Sequence, residues 1–265
     1  MQPQKIFLTG ASSGIGQALA RAYAQQGALL GLVGRREDAL RTFANTLPNP
    51  DAVRVYAVDV RDADAMRAAA EDFLTHFGCP DVVIANAGVS VGTVASERED
   101  LEAFRTVMDT NWFGTLTTFQ PFLAPMGQQA LGVSGWRGTL VGIASVAGVR
   151  GLPGGGAYSS SKSAVIKLLE SLRLELARER IRVVTIAPGY IRTPMTEHNP
   201  YRMPFLMDAD VFAQKALRRI AAGTRFVVIP WQMGVVASML HLMPRWLYDA
   251  LFARAPRKPR RPRSA

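Results

Sequence analysis

The chain has 265 residues, 48% hydrophobic and 20% charged, with a formal net charge of +10 at neutral pH. That composition excludes a disordered chain, and the length accommodates one large α/β domain around a single core. One cysteine, Cys79, excludes an internal disulfide framework and a thiolate metal cluster; the histidines His76, His198 and His241 are too scattered for a zinc site.

The start, Met1-Gln2-Pro3-Gln4-Lys5-Ile6, leads almost directly into an apolar run and does not read as a signal peptide, so a cytoplasmic protein is expected. Short runs rich in Val, Ile, Leu or Phe predict strands at 5–9, 28–33, 53–57, 81–85, 137–144, 181–187 and 226–229. Between them, apolar residues at three- and four-residue spacing predict covering helices at 14–27, 36–46, 62–77, 100–126 and 157–179. This alternation implies an α/β fold, a doubly wound (Rossmann) parallel sheet of about seven strands, with its ligand crevice beyond the carboxyl ends of the strands. The expected organisation is a Rossmann-type catalytic domain over 1–230, a short helical extension packed on it over 231–253, and a basic, disordered tail over 254–265.

The first strand runs into Gly10-Ala11-Ser12-Ser13-Gly14-Ile15-Gly16, and a helical pattern follows. Glycines at 10, 14 and 16 permit a tight turn and close backbone approach, while free amides at the helix start face a negative pyrophosphate. Ser12 and Ser13 can add hydroxyl donors.

At the end of the second strand stand Gly34-Arg35-Arg36, where NAD-binding sheets place an acid for the ribose hydroxyls. A carboxylate would repel a 2′-phosphate, whereas Arg35 and Arg36 can hold one through charge-assisted hydrogen bonds. NADP (NADPH) is therefore expected, with NAD as the weaker alternative. The competing reading of the two arginines is a solvated helix start, partly neutralised by Glu37 and Asp38.

Farther on come Asp59-Val60 after the third strand, Asn86-Ala87-Gly88 after the fourth, and Asn111 in Asn111-Trp112-Phe113-Gly114. Ser145 follows the fifth strand and precedes Tyr158-Ser159-Ser160-Ser161-Lys162; Pro188-Gly189-Tyr190-Ile191-Arg192-Thr193 follows the sixth. Tyr158 and Lys162, four residues apart, share one helix face. A free tyrosine has a pKa of about 10, so it needs a nearby cation to act as a base near neutrality.

Together these motifs resemble the short-chain dehydrogenase/reductase family over about residues 5–230. The resemblance implies an oxidoreductase passing a hydride between NADP and a carbonyl or secondary alcohol. It implies Tyr158 as general acid/base, Ser145 holding the substrate oxygen, Lys162 binding the nicotinamide ribose, and Asn111 holding a water that links Lys162 to solvent. Asp59 would accept from the adenine amino group, with helix capping as its alternative, and Val60 would lie beside it. Asn86, Ala87 and Gly88 would pass close to the cofactor ribose. Pro188, Gly189 and Ile191 would border the nicotinamide, with Thr193 at its carboxamide. The family's basic residue within the glycine turn is absent, Ser13 standing there, so the NADP preference rests mainly on Arg35. A homodimer or homotetramer through 100–126 and 157–179 is implied as well.

Residues 195–210, including Met195, Tyr201, Met203, Pro204, Phe205 and Leu206, are expected as an apolar substrate loop, with Leu152-Pro153 and Gly154-Gly155-Gly156 as another wall. The apolar segment from Trp231 to Met243 is too short to span a bilayer, which takes about 20 residues. Two short helices meeting at Pro244 are expected instead. They either cover the active-site mouth or an interface, or rest with the basic tail on the inner face of a membrane. Nucleic acid is not an expected partner, because the basic residues cluster in the tail without a reading motif. A nucleotide-binding or membrane-surface protein with little turnover is the alternative to an active enzyme.

Overall fold

Successive side chains of a strand point to opposite faces, and the first apolar run uses both. Residues Lys5–Thr9 form β1. Ile6 and Leu8 enter one buried cluster and Phe7 enters another, where it meets Phe73 edge-on at 5.4 Å and Phe122 at 4.7 Å between ring centroids. A strand buried on both faces accounts for the unbroken apolar run, since each large apolar side chain withdrawn from water contributes roughly 1.5–3 kcal/mol.

The computed structural model describes residues 2–253 apart from 198, 200 and 201. After β1 come α1 (Gly14–Ala24), β2 (Leu29–Gly34), α2 (Glu37–Ala44), β3 (Val53–Ala57), α3 (Ala63–Phe77) and β4 (Val82–Ala85). The middle comprises α4 (Leu101–Met108), α5 (Gly114–Gln128), β5 (Gly138–Ile143), α6 (Gly156–Glu175) and β6 (Ile181–Pro188). The last part holds β7 (Ile191–Arg192), β8 (Met207–Asp208), α7 (Ala209–Ala221), β9 (Phe226–Ile229), α8 (Trp231–Leu242) and α9 (Arg245–Phe252).

Seven strands form one parallel sheet in the order β3-β2-β1-β4-β5-β6-β9. Leu19 of α1, Leu40 of α2 and Phe212 of α7 pack on one face; Phe73 of α3, Phe122 of α5 and Leu169 of α6 pack on the other. The chain reverses direction across the sheet between β1 and β4, which opens a crevice at the carboxyl ends of those strands.

Two expectations need correction. The helix expected over 100–126 is interrupted by a π-helical turn at Asp109–Phe113. Hydroxyls bond back to the carbonyls one turn earlier around it: Thr115 Oγ1 donates to the Asn111 carbonyl at 2.8 Å and Thr118 Oγ1 to that of Gly114 at 2.6 Å. The substrate loop expected over 195–210 is shorter, because Met207–Asp208 pairs with Ile191–Arg192 and α7 begins at Ala209. The apolar pattern predicts no helix over 209–221, yet Phe212, Ala213, Ala216, Leu217 and Ile220 form the buried stripe of α7. Among the described residues, no helix is long and apolar enough to cross a membrane.

Candidate active site

The turn after β1 is shaped by what its glycines lack. Gly10 and Gly14 hold φ values of +69° and +55°, a region that disfavours side chains. A Cβ on Gly16 would lie 2.1 Å from the Gly10 carbonyl oxygen, so the start of α1 folds directly against the turn. Asn86 stitches this turn to the end of β4: its Nδ2 donates to the carbonyls of Thr9 and Gly10 at 3.0 and 3.2 Å. Thr9 Oγ1 in turn accepts from the amides of Asn86 and Ala87 at 3.2 and 3.3 Å.

A cleft of about 310 Å³ runs along the strand ends. Of the sequence-predicted site residues, all line it except Gly16 and Asn111, which are buried behind its walls. One end carries charge at the surface. Arg35 and Arg36 are exposed, and Arg36 donates to the Ser12 carbonyl at 3.3 Å. Asp59 is held in a two-pronged ion pair with Arg61, 2.7 Å at its shortest, and this hydrogen bonding holds its carboxyl below the usual carboxylate range. The capping alternative for Asp59 belongs instead to Asp62, whose side chain accepts from the Ala65 amide at 3.0 Å.

The other end is buried and anchored to backbone. Lys162, 4% exposed, donates from Nζ to the Ile143 carbonyl at 2.7 Å, and that nitrogen lies 6.0 Å from the Tyr158 ring centroid. Burial lowers the Lys162 pKa to about 8. Burial raises that of Tyr158, while a hydrogen bond with Ser145 works in the opposite direction. Ser145 caps the short 3₁₀ turn Val146–Gly148 by accepting from the Ala147 amide at 3.1 Å.

Asn111, within the π-helical turn, is fully buried. Its Oδ1 accepts from the Val89 amide at 2.8 Å; its Nδ2 donates to the Val89 carbonyl at 3.0 Å and to Ser161 Oγ at 2.9 Å. Ser161 Oγ donates to the Tyr158 carbonyl at 2.8 Å. Asn111 thus ties the segment after β4 to the turn of α6 that carries Tyr158 and Lys162.

Val58, Val89, Thr110, Ile143 and Ala144 also line the cleft without a role expected from the sequence, as do Pro194 beside Thr193 and Thr196 within the 195–210 loop. Val58, Val89 and Thr110 each adjoin a motif residue, so adjacency to a motif is the signal that would have found them. Thr196 Oγ1 accepts from the Thr193 amide at 3.1 Å and donates to the Ile191 carbonyl at 2.7 Å, shaping the loop from within. Met195 of the expected substrate loop lines the cleft, whereas Met203, Pro204, Phe205 and Leu206 lie outside its walls; Tyr201 and the tail over 254–265 lie outside the described residues.

The family described as short chain dehydrogenase matches residues 4–202. An oxidoreductase of Myxococcus xanthus is 35% identical over 256 residues, covering 94% of this chain and 96% of that protein. The 11-beta-hydroxysteroid dehydrogenase-like 2 of Arabidopsis thaliana is 31% identical, covering 93% of this chain and 81% of its own. Among solved structures, a short chain dehydrogenase from Burkholderia cenocepacia in complex with NADP superposes with a TM-score of 0.80 at 25% identity, covering 96% of this chain and 99% of that one. The chain belongs to the short-chain dehydrogenase family and is an oxidoreductase of that family.

Proposed function

We propose that the protein is an NADP-dependent oxidoreductase acting on a carbonyl or secondary alcohol, with Tyr158 as its general acid/base. The observation that carries this reading is the placement of Ser145, Tyr158 and Lys162 in the same cleft as the glycine turn and Arg35. The residues fit a dinucleotide: Gly10, Ser12, Ser13, Gly14 and Ile15 of the glycine turn line the cleft, and the charged end is free of a carboxylate on β2.

When bound, the nicotinamide supplies or accepts the hydride. Tyr158 begins the reductive direction protonated, since burial favours the neutral phenol, and gives its proton to the oxygen of the reduced carbonyl. Ser145, hydrogen-bonded to that phenol, holds the same oxygen. Lys162, protonated below about pH 8, brings a positive charge next to the phenolate left behind and stabilises it. In oxidation the phenolate removes the proton from an alcohol.

At the far end, Arg35 and Arg36 would pair with a 2′-phosphate, while Asp59 is already neutralised by Arg61. The NADP complex of the Burkholderia cenocepacia relative supports this cofactor. Val89, Ile143, Pro194 and Met195 in the cleft, with the likeness to a hydroxysteroid dehydrogenase-like protein, support an apolar carbonyl substrate. A homodimer or homotetramer through 100–126 and 157–179 belongs to the same reading, and exposed Phe113 beside a hollow lined by Met108, Trp112 and Leu168 supports it.

The test is NADPH oxidation by the purified protein across a panel of apolar ketones and aldehydes. Turnover that disappears in Tyr158→Phe supports the reading; turnover equal in both proteins, or none in either, overturns it.

A further inference from the structure

The catalytic reading leaves the outer side of α8 and α9 unused. Trp231, Val235, Met239 and Leu242 recur along α8 at steps of four, four and three, and they are 49% to 80% exposed. Trp246 and Leu251 on α9 add further apolar surface at 72% and 59% exposed. The twelve residues of α8 include no Asp, Glu, Lys or Arg. An apolar stripe of this extent on a soluble surface marks an interaction site rather than scattered exposure.

The opposite side of these helices is fixed to the enzyme. Met233 and Ala237 are buried, and Met233 packs against Gly189, a wall of the cleft. Arg150 donates to the Met243 carbonyl at 3.2 Å and lies 4.5 Å from the Tyr248 ring centroid. Tyr248 donates its hydroxyl proton to the Gly151 carbonyl and stacks on Phe252. The two helices are therefore clasped to the segment between Ser145 and Tyr158, with their apolar stripe outward.

Charge decides between occupants. Beyond α9 the sequence carries Arg254, Arg257, Lys258, Arg260, Arg261 and Arg263, and no acid follows Asp249. A second copy of this chain would bring the same cations together, whereas an anionic bilayer opposes them with negative charge. Tryptophans suit the boundary between headgroups and acyl chains, because the ring is apolar and its N–H can still reach a polar partner.

We propose that α8 and α9 form a docking face for an anionic lipid bilayer, the apolar stripe entering the headgroup boundary and the cations of 254–263 supplying the attraction. The proposal is independent of the catalytic reading. Because Met233 packs on Gly189, docking brings the cleft beside the lipid surface.

The test is co-sedimentation of the full chain with vesicles of phosphatidylcholine alone or mixed equally with phosphatidylglycerol. Binding is expected with the mixed vesicles and not with phosphatidylcholine alone. The triple variant Trp231→Ser/Leu242→Ser/Trp246→Ser should weaken binding roughly tenfold or more. Deleting 254–265, or raising salt until the Debye length is about 3 Å, should weaken it about tenfold. Should the triple variant misfold by circular dichroism, brominated acyl chains provide the second readout. They should quench tryptophan emission in the native chain and not in Trp231→Phe/Trp246→Phe, which keeps Trp112 and Trp136. No binding to mixed vesicles, or equal binding by the folded triple variant, overturns the proposal. So does sedimentation velocity showing a native dimer that the triple variant dissolves, without lipid binding, since that assigns the face to a second copy.

Discussion

The two ends of the cleft solve opposite problems. At the charged end, Arg35 and Arg36 stand in solvent and Asp59 is paired with Arg61 near the surface, so charge is kept where water screens it and little stability is at stake. At the other end Lys162 and Asn111 are almost wholly buried, and their polar atoms are held by the Ile143 and Val89 backbone. Recognition of an anion tolerates screening. A proton transfer under the influence of a nearby cation does not, because the effect of that cation falls as solvent reaches it.

The largest expected effect is at Lys162. Under the proposed mechanism Lys162→Met lowers kcat for carbonyl reduction by roughly 10²–10⁴-fold, measured by NADPH oxidation. The same substitution orphans the buried Ile143 carbonyl and also removes a pH-dependent penalty from the free protein. Below pH 8 the folded chain holds a buried ammonium that favours neutrality, and the unfolded lysine keeps its ordinary value of 10.5. From about pH 8 upward the unfolded state binds more protons, so this penalty is full below pH 8 and relieved as pH rises toward 10.5. The stability difference, Lys162→Met minus native, should fall by an amount on the order of 1–3 kcal/mol as pH rises through that window. Urea titrations at a series of pH values measure it. A difference that grows with pH would contradict the sign.

Asn111→Ala should come next. It leaves the Val89 amide and carbonyl and the Ser161 hydroxyl without this partner. An expected loss of about 2–4 kcal/mol in unfolding free energy follows from those orphaned buried groups. Thermal melts check it, and a change within experimental error would show that Asn111 does not hold the buried end together.

At the charged end, Arg35→Ala should reduce the NADPH over NADH preference in kcat/KM by about tenfold or somewhat more, from loss of a charge-assisted pair. The wild-type preference should narrow as salt is raised, whereas the Lys162 effect should not. Smallest of all, Arg36→Ala should alter stability by no more than about 0.5 kcal/mol, since its contact with the Ser12 carbonyl is exposed.

The sheet was legible because strands buried on both faces announce themselves: Ile6-Phe7-Leu8 and Val82-Val83-Ile84 admit no helical period. Most residues of the candidate site could be picked out because they sit in compact runs after strand ends; Asn111, Tyr158 and Lys162 lie on helical turns and stood out by their order and spacing. What escaped has physical reasons too. The π-helical turn at Asp109–Phe113 changes the backbone pattern without changing composition, and Trp112-Phe113 continue the apolar spacing on either side. The buried stripe of α7 includes Ala213 and Ala216, which carry a weak hydrophobic signal, amid Lys215, Arg218 and Arg219. Helix ends drifted as well: α1 stops at Ala24, with Gly27 in a positive-φ turn, and α6 stops at Glu175, before Arg180 at φ 58°. The exposure of Trp231, Leu242 and Trp246 could not be read from spacing, because α8 is apolar on nearly every side and only packing decides which side is covered.

Under the proposed mechanism one phenol moves the proton while the rest of the cleft holds the cofactor. Measuring NADPH affinity by fluorescence beside single-turnover reduction of an accepted ketone, in native protein and Tyr158→Phe, tests it directly. NADPH binding in the variant is expected within about threefold of native, with a rate lowered by roughly 10²–10⁴-fold. A native rate in Tyr158→Phe would contradict it.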